Sequence, residues 1–355
     1  MLSLCDSSDS MAGFGEFLDF NCYPYQRIDL WDNKVDYYRL LPNMVNNSGH
    51  VLVIDEQVLQ SLFRYDQKNL LCFLEKNYIW IWIDCDGFVI TRTFAMEHVI
   101  KALDLIVLPG HLTIVYDAEP SHGHWTTLLH NVQTRQFPRT YFMNGMARVK
   151  HTCKLIGQDR KDFLLTTVQK KISPHRTVLR DQLYARPALA DRGIIHFHRK
   201  QGAWIGDTSH QHNWNDGHLS MDLYSNAWTE IVPETLYRDG YFFTEKTLKP
   251  IVTKTPFFMV STCGYLDYLH RLGFQTFGTL INEQYDLERR VQDRVKLMLD
   301  QLEDVINNGT ADYVRACQPI VKHNYQRMSE IAGSWRHQID EFYMRCLDEI
   351  QAFDH

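Results

Sequence analysis

Glu245 and Lys246 stand side by side in the run Phe243-Thr244-Glu245-Lys246-Thr247-Leu248-Lys249-Pro250. An ionised carboxylate can accept both hydroxyls of a ribose, and a neighbouring ammonium can neutralise phosphate. Thr244, just ahead, has the hydroxyl that caps a helix start, whose free N–H groups are further donors for an anion. The chemistry is that of a nucleoside-diphosphate site. As a bare tripeptide, Thr-Glu-Lys is also what an ordinary capped helix with surface charges looks like. The longer pattern is more specific: Pro233-Glu234 upstream, then this run, then Pro256-Phe257-Phe258 and Leu272-Gly273-Phe274-Gln275-Thr276-Phe277.

Other groups surround this core of the reading. Ser173-Pro174-His175-Arg176 follows one strand-like run and precedes a helix expected over 177–183. A strand-to-helix turn is where a Rossmann-like half places phosphate, and a planar guanidinium suits phosphate oxygens. Arg176 reads equally as a solvent-facing residue of a basic loop. Five histidines, His196, His198, His210, His212 and His218, lie within 23 residues. Imidazoles at i and i+2 on one strand face can ligate a metal, but no Glu-x-x-His or Cys partner accompanies them, so a polar loop lining a cleft is the expectation and no metal is assigned. Candidate general bases are Asp55, Asp84, Asp86, Asp117 and Glu119; the last two sit in the polar loop Tyr116–Trp125. An Asp after a strand is also a common helix cap. No Gly-x-Gly-x-x-Gly or Gly-x-Ser-x-Gly pattern is present, which disfavours NAD and serine-hydrolase chemistry. Cys263-Gly264 reads as a turn without a histidine partner.

The elements that must hold these residues are those of an α/β fold. Buried parallel strands are expected over 50–55, 78–84, 112–117 and 140–144, and helices over 57–75 and 96–105. Three of those strands end in Asp and the last in Asn, which puts polar groups at the carboxyl edge where such sheets bind ligands. A second set is expected over 162–167, 193–197, 227–232 and 256–260. From about residue 286 the apolar spacing turns helical, through Leu287, Val291, Val295, Met298, Leu302, Val305 and Ile306, with a second helix over 331–353. The division expected is 1–155, 156–285 and a helical tail, 286–355.

Composition agrees with a folded, non-membrane chain: 45% hydrophobic and 23% charged, with no apolar run of membrane length. The Ser/Asp/Gly-rich start lacks the basic-then-apolar order of a secretory signal, so a cytoplasmic location, host cytoplasm for a viral protein, is expected, with the eight cysteines reduced. The net charge of −6 hides an asymmetry: 148–180 has nine Lys/Arg against two acids, +7, while the remainder carries −13. That pattern suggests a localised anion site or a solvated linker rather than a nucleic-acid coat.

The pattern from Pro233-Glu234 through Gly273-Phe274 resembles the donor-binding segment of GT-B glycosyltransferases, notably the α1,3-fucosyltransferases, and of fucosyltransferase-like proteins of large viruses and phages. The resemblance covers about residues 160–290. It implies a GT-B fold of two Rossmann-like doubly wound domains with a cleft between them, whose C-terminal helices pack back on both domains. It implies a donor site of Glu245 on ribose and Lys246 and Arg176 on the diphosphate, with His175, Thr244, Glu230 and Glu234 contributing. It further implies inversion at the sugar, with Lys246 acting on the leaving group and no cofactor beyond a UDP- or GDP-sugar donor; the base is left to the loop candidates Asp117 and Glu119. The acceptor would be a glycan or another hydroxyl, a hydroxymethylated base in phage DNA among the options. The chain departs from the family where Leu223–Glu230 stands in place of a Phe-Glu-Asn-Ser segment and in having no membrane anchor, so GDP-fucose itself is not implied. A non-catalytic GT-B-like nucleotide-binding or assembly protein, or another α/β transferase for a phosphorylated ligand, fits the same residues.

Overall fold

Short apolar runs buried on both faces form parallel strands, because crossover helices cover both sides of such a sheet. The chain builds two sheets of this kind, in two units: residues 1–139 with 335–355, and residues 140–334. The computed structural model describes residues 2–6, 25–29, 51–65, 67–83, 93–116, 129–136, 161–167, 173–198, 204–206, 221–238 and 240–352. The stretch 137–160, with the strand expected over 140–144 and the expected domain boundary, lies outside them.

The first unit holds six parallel strands: β1 (Leu2–Asp6), β2 (Tyr25–Asp29), β3 (Val51–Asp55), β4 (Tyr78–Ile83), β5 (Leu112–Tyr116) and β6 (Gln133–Gln136), in the order β2-β1-β3-β4-β5-β6. Alternate residues Leu52, Ile54, Ile79, Ile81, Leu112 and Ile114 pack with Val58, Leu62, Phe73, Ile100 and Leu103 of α1 (Glu56–Tyr65), α2 (Gln67–Leu74) and α3 (Thr93–Asp104). Val51, Val53, Trp80 and Val115, in the intervening positions, are buried too, so both faces of these strands are covered. The helix expected over 57–75 is two helices, α1 and α2. Sequence periodicity did not reveal β2 and β6, whose polar residues suit the two edges of a sheet, nor β1, whose short Leu-Ser-Leu-Cys-Asp run sits in a polar start. The carboxyl ends carry Asp6, Asp29 and Asp55; Asp6 and Asp29 are register partners.

The second unit orders its strands β11-β10-β7-β8-β9, from β7 (Lys161–Thr167), β8 (Gly193–His198), β9 (Trp204–Gly206), β10 (Ala227–Pro233) and β11 (Phe257–Val260); all pair in parallel except the short edge strand β9. From β7 the chain winds to β8 on one side and then to β10 on the other. The β7/β10 boundary is thus the topological switch point, where crossovers leave in opposite directions and open a crevice at the carboxyl edge. Three helices open at that edge: α4 (Pro174–Tyr184) after β7, α7 (Glu245–Thr253) after β10 and α8 (Tyr265–Arg271) after β11. Short helices α5 (Pro187–Ala190) and α6 (Met221–Ser225) lead back to β8 and β10.

The C-terminal helices are α9 (Val291–Ala316) and α10 (Gln318–Ala352). α9 buries Val295, Met298, Leu302, Val305 and Ile306 as the spacing requires, whereas Leu287 falls in a preceding 3₁₀ turn and is exposed. Arg186, after α4, bridges Asp300 and Glu303 of α9, each at 2.7 Å. Near its end α9 breaks at Gly309 (φ 107°), which only glycine adopts cheaply, and the next hydroxyl, Thr310, hydrogen-bonds Asp162 in β7.

The run Leu272–Phe277 does structural work. Gln275 N–H donates to Asn324 Oδ1 at 2.7 Å and Asn324 Nδ2 donates to Gln275 O at 2.8 Å, a two-point clamp onto α10. Arg327 Nε donates to Leu272 O at 2.8 Å, and Phe277 N–H donates to Glu283 Oε1 at 2.7 Å. Phe274 packs on Phe243 and Phe277 stands edge-on to Phe257, so this run braces the start of the Thr-Glu-Lys segment. Asn324 is 1% exposed. Asn324→Ala removes both hydrogen bonds to the Gln275 backbone, and urea unfolding is expected to show a loss of about 2 kcal/mol, about 1 for each bond; an unchanged midpoint would show that the clamp is replaced by water at no cost.

Candidate functional site

Thr244 is the N-cap of α7. Its backbone is extended (φ −113°, ψ −177°), its Oγ1 accepts the N–H of Lys246 at 3.2 Å, and the helix begins at Glu245. The acid in the first turn suits the positive end of the helix. Lys246 Nζ bonds Glu245 Oε1 and lies 3.2 Å from Thr235 Oγ1 and 3.4 Å from Thr244 Oγ1. Glu245 and Lys246 keep 16% and 21% of their side-chain surface, so both face solvent in part. Burial alone would raise the Glu245 carboxyl, but the Lys246 ammonium bonded to it, with Lys249 behind, outweighs burial and holds it below the ordinary range. The Glu245 carboxyl is therefore ionised at neutral pH.

Glu234, one residue past β10, has no exposed surface. Its Oε1 accepts from Thr244 N at 2.9 Å and Thr247 Oγ1 at 2.7 Å; its Oε2 accepts from Thr235 N and Thr244 Oγ1, each at 2.7 Å. Tyr265 OH, which donates to Phe242 O at 3.1 Å, stands 3.5 Å from Oε1. The carboxylate is fully engaged with protein groups. Its own backbone carbonyl accepts His175 Nε2–H at 2.7 Å and Arg176 Nη2 at 3.4 Å, while Pro233 O accepts the same Nη2 at 3.2 Å.

His175 and Arg176 belong to the first turn of α4, which starts at Pro174 rather than at 177. The ring of His175 stacks on Tyr237, centroids 4.9 Å apart. Burial first, then the neighbouring cations Arg176, Arg294 and Lys246, push its pKa down to about 3, so the imidazole is neutral. With Nε2–H donated to a carbonyl, Nδ1 carries the lone pair, and it is buried without a hydrogen bond. α4 has no side-chain cap: the Ser173 hydroxyl at its N-cap is likewise buried and unbonded. Arg176 is 7% exposed.

The structure thus gathers His175, Arg176, Glu234, Thr244, Glu245 and Lys246 at the carboxyl edge of the second sheet. It does not bring Glu230 there. Glu230 lies inside β10, 3% exposed and beside Tyr224, and burial pushes its pKa up to about 8 despite Lys249. Asp117, Glu119, Asp84, Asp86, His210, His212 and His218 lie outside the described residues; His196 and His198 both belong to β8. Among the described residues no group of three His, Cys, Asp or Glu side chains is placed to hold a metal ion, and no helix is long and apolar enough to cross a membrane. Several supporting residues escaped the sequence reading. Thr235 and Thr247 adjoin the motif and were readable as donors. Tyr265 and the 1%-exposed Arg294 were not, being distant in sequence; Arg294 holds the loop after β11 by donating to Ser261 O and, at 2.8 Å, to Glu288 O.

Fold and site together define an α/β protein whose two sheets are compatible with a two-domain Rossmann-like arrangement, with a charged crevice-edge cluster on the second. No family model matches the chain, and no match is found among curated proteins.

Two buried acids set a pH dependence. Burial raises Asp286, on the 3₁₀ turn, from 3.8 to about 7 and Glu230 from 4.5 to about 8. Both folded values lie above the unfolded ones, so their stabilising contribution is full below the unfolded values and is lost as pH rises through 7 and 8. His175, lowered from 6.5, contributes in the opposite sense, its share fading as pH falls toward 3. Glu230→Gln is expected to gain stability relative to the parent between about pH 5 and about pH 9, read from urea midpoints. A difference that stays constant across that window would mean Glu230 does not titrate there.

Proposed function

We propose that the chain is a glycosyltransferase that takes its sugar from a nucleoside-diphosphate donor held on the second unit. The observation that carries this reading is the joining, through Glu234, of two helix starts that present Arg176 on one and Glu245-Lys246 on the other at a topological switch point. Switch-point crevices of parallel sheets are where nucleotides bind, and helix starts favour the anion. The sequence resemblance to the donor segment of fucosyltransferase-like GT-B enzymes supports the same assignment.

In this reading Glu245 accepts the ribose hydroxyls, and Lys246 and Arg176 lie along the diphosphate. The acceptor oxygen attacks the anomeric carbon as its bond to the diphosphate breaks, with inversion. Charge grows on the leaving diphosphate, so fixed cations act most strongly at the transition state. Asp117 or Glu119 is assigned the acceptor proton. The acceptor is a hydroxyl compound, a glycan ahead of a modified DNA base because the chain outside 148–180 is strongly acidic. UDP and GDP sugars are the donors to try first.

A thermal-shift series with UDP, GDP, CMP, ADP and their common sugars tests the reading. One nucleoside diphosphate is expected to stabilise the protein by about 2.7 kcal/mol at a hundredfold excess over Kd. Glu245→Ala should lose most of that stabilisation. Lys246→Ala should lose part of it and lower the transfer rate as well. Equal stabilisation of both variants and the parent would remove the pair from the site.

A further inference from the structure

Glu234 touches both halves of the candidate site through different atoms. Its carboxylate fixes the backbone N–H and hydroxyl of Thr244, hence the cap against which Lys246 N–H and Nζ rest. The same carboxylate fixes Thr235 N–H, and Thr235 Oγ1 is the second neighbour of Lys246 Nζ. Its carbonyl holds His175 and shares Arg176 with Pro233. Its N–H donates to Val260 O at 3.0 Å, which locks the residue to β11. With both oxygens engaged and no exposed surface, the side chain cannot itself reach a ligand.

We infer that Glu234 is a positioning residue that sets the separation and direction of Lys246 and Arg176, and so fits the site to a diphosphate. This rests on the donor-site reading above and gives its acidic member a role other than donor contact. Three roles for Glu234 can be told apart by chemistry. A carboxylate that contacts ribose would matter to a nucleoside diphosphate but not to inorganic pyrophosphate. A carboxylate that acts only by its negative charge would repel either anion, so neutralising it would tighten both. A carboxylate that acts by its hydrogen bonds would loosen both when those bonds change, whether or not its charge is kept.

Titration calorimetry of UDP, GDP and pyrophosphate against the full chain, Glu234→Gln and Glu234→Asp separates them. Gln keeps the shape but turns an amide N–H₂ toward N–H donors; Asp keeps the charge but is one methylene short of reaching both Thr244 and Thr247. Each variant is expected to bind pyrophosphate and the preferred nucleoside diphosphate about tenfold more weakly, by a similar factor for the two ligands, as loss of a hydrogen bond to a charged group gives. Measurements are made below each variant's melting midpoint, so a lower midpoint alone does not count. Tighter binding by Glu234→Gln with unchanged binding by Glu234→Asp overturns the inference in favour of charge alone. Pyrophosphate binding unchanged in both, with the nucleoside diphosphate weakened, overturns it in favour of donor contact. If neither variant folds, Thr247→Val, which removes one bond to Oε1, carries the test: about threefold weaker binding of both ligands is expected, and unchanged binding overturns. A parent chain that binds none of the three ligands defeats the donor-site reading itself, whereas a parent that binds with indifferent variants defeats this inference alone.

Discussion

A carboxylate taken wholly out of water must find donors inside the protein, and Glu234 finds four within 2.9 Å. An ionised group left unbonded at such a place is unstable by several kcal/mol, so the chain around it is under strict geometric demand. Threonines meet that demand, since each offers a backbone N–H and a hydroxyl within one residue. Thr244 does both, and the conformation that lets it do so is also the extended backbone of a helix cap. The start of α7, and the direction of Glu245 and Lys246, follow from how that one negative charge is satisfied.

His175 beside it is neutral chiefly because it is buried. Its ring N–H is aimed at a carbonyl and its surroundings carry Arg176, Arg294 and Lys246, so a proton on Nδ1 would add a fourth positive charge to a dry site. The Glu245–Lys246 pair keeps part of its surface toward solvent. An incoming dianion would meet fixed cations and neutral donors, with little reorganisation required.

Much of this was legible in the sequence. The apolar runs at 51–54, 79–81, 112–115, 163–165 and 257–260 could be little else than strands covered on both sides, and Thr244 was readable as a cap from its own chemistry. What escaped reading was set by partners far along the chain. Glu234 looked like a ligand-contacting acid because Pro-Glu precedes the motif; only the fold shows four donors closing on it. Glu230, an equally polar letter, is the fourth of the seven residues of β10 and is buried inside the strand. The run 273–277 resembled part of the donor motif, yet Asn324 ties it to α10 and Glu283 to the 3₁₀ turn that follows it. β2 and β6 were hidden because edge strands need no apolar alternation.

The central claim is that the edge between the starts of α4 and α7 receives a nucleoside diphosphate. A crystal structure of the chain grown with the stabilising nucleotide tests it most directly. The account predicts diphosphate density between Lys246 and Arg176, with the ribose against Glu245 and Glu234 still bonded only to protein. Density for the nucleotide away from both helix starts, or a ribose bonded to Glu234, would contradict it.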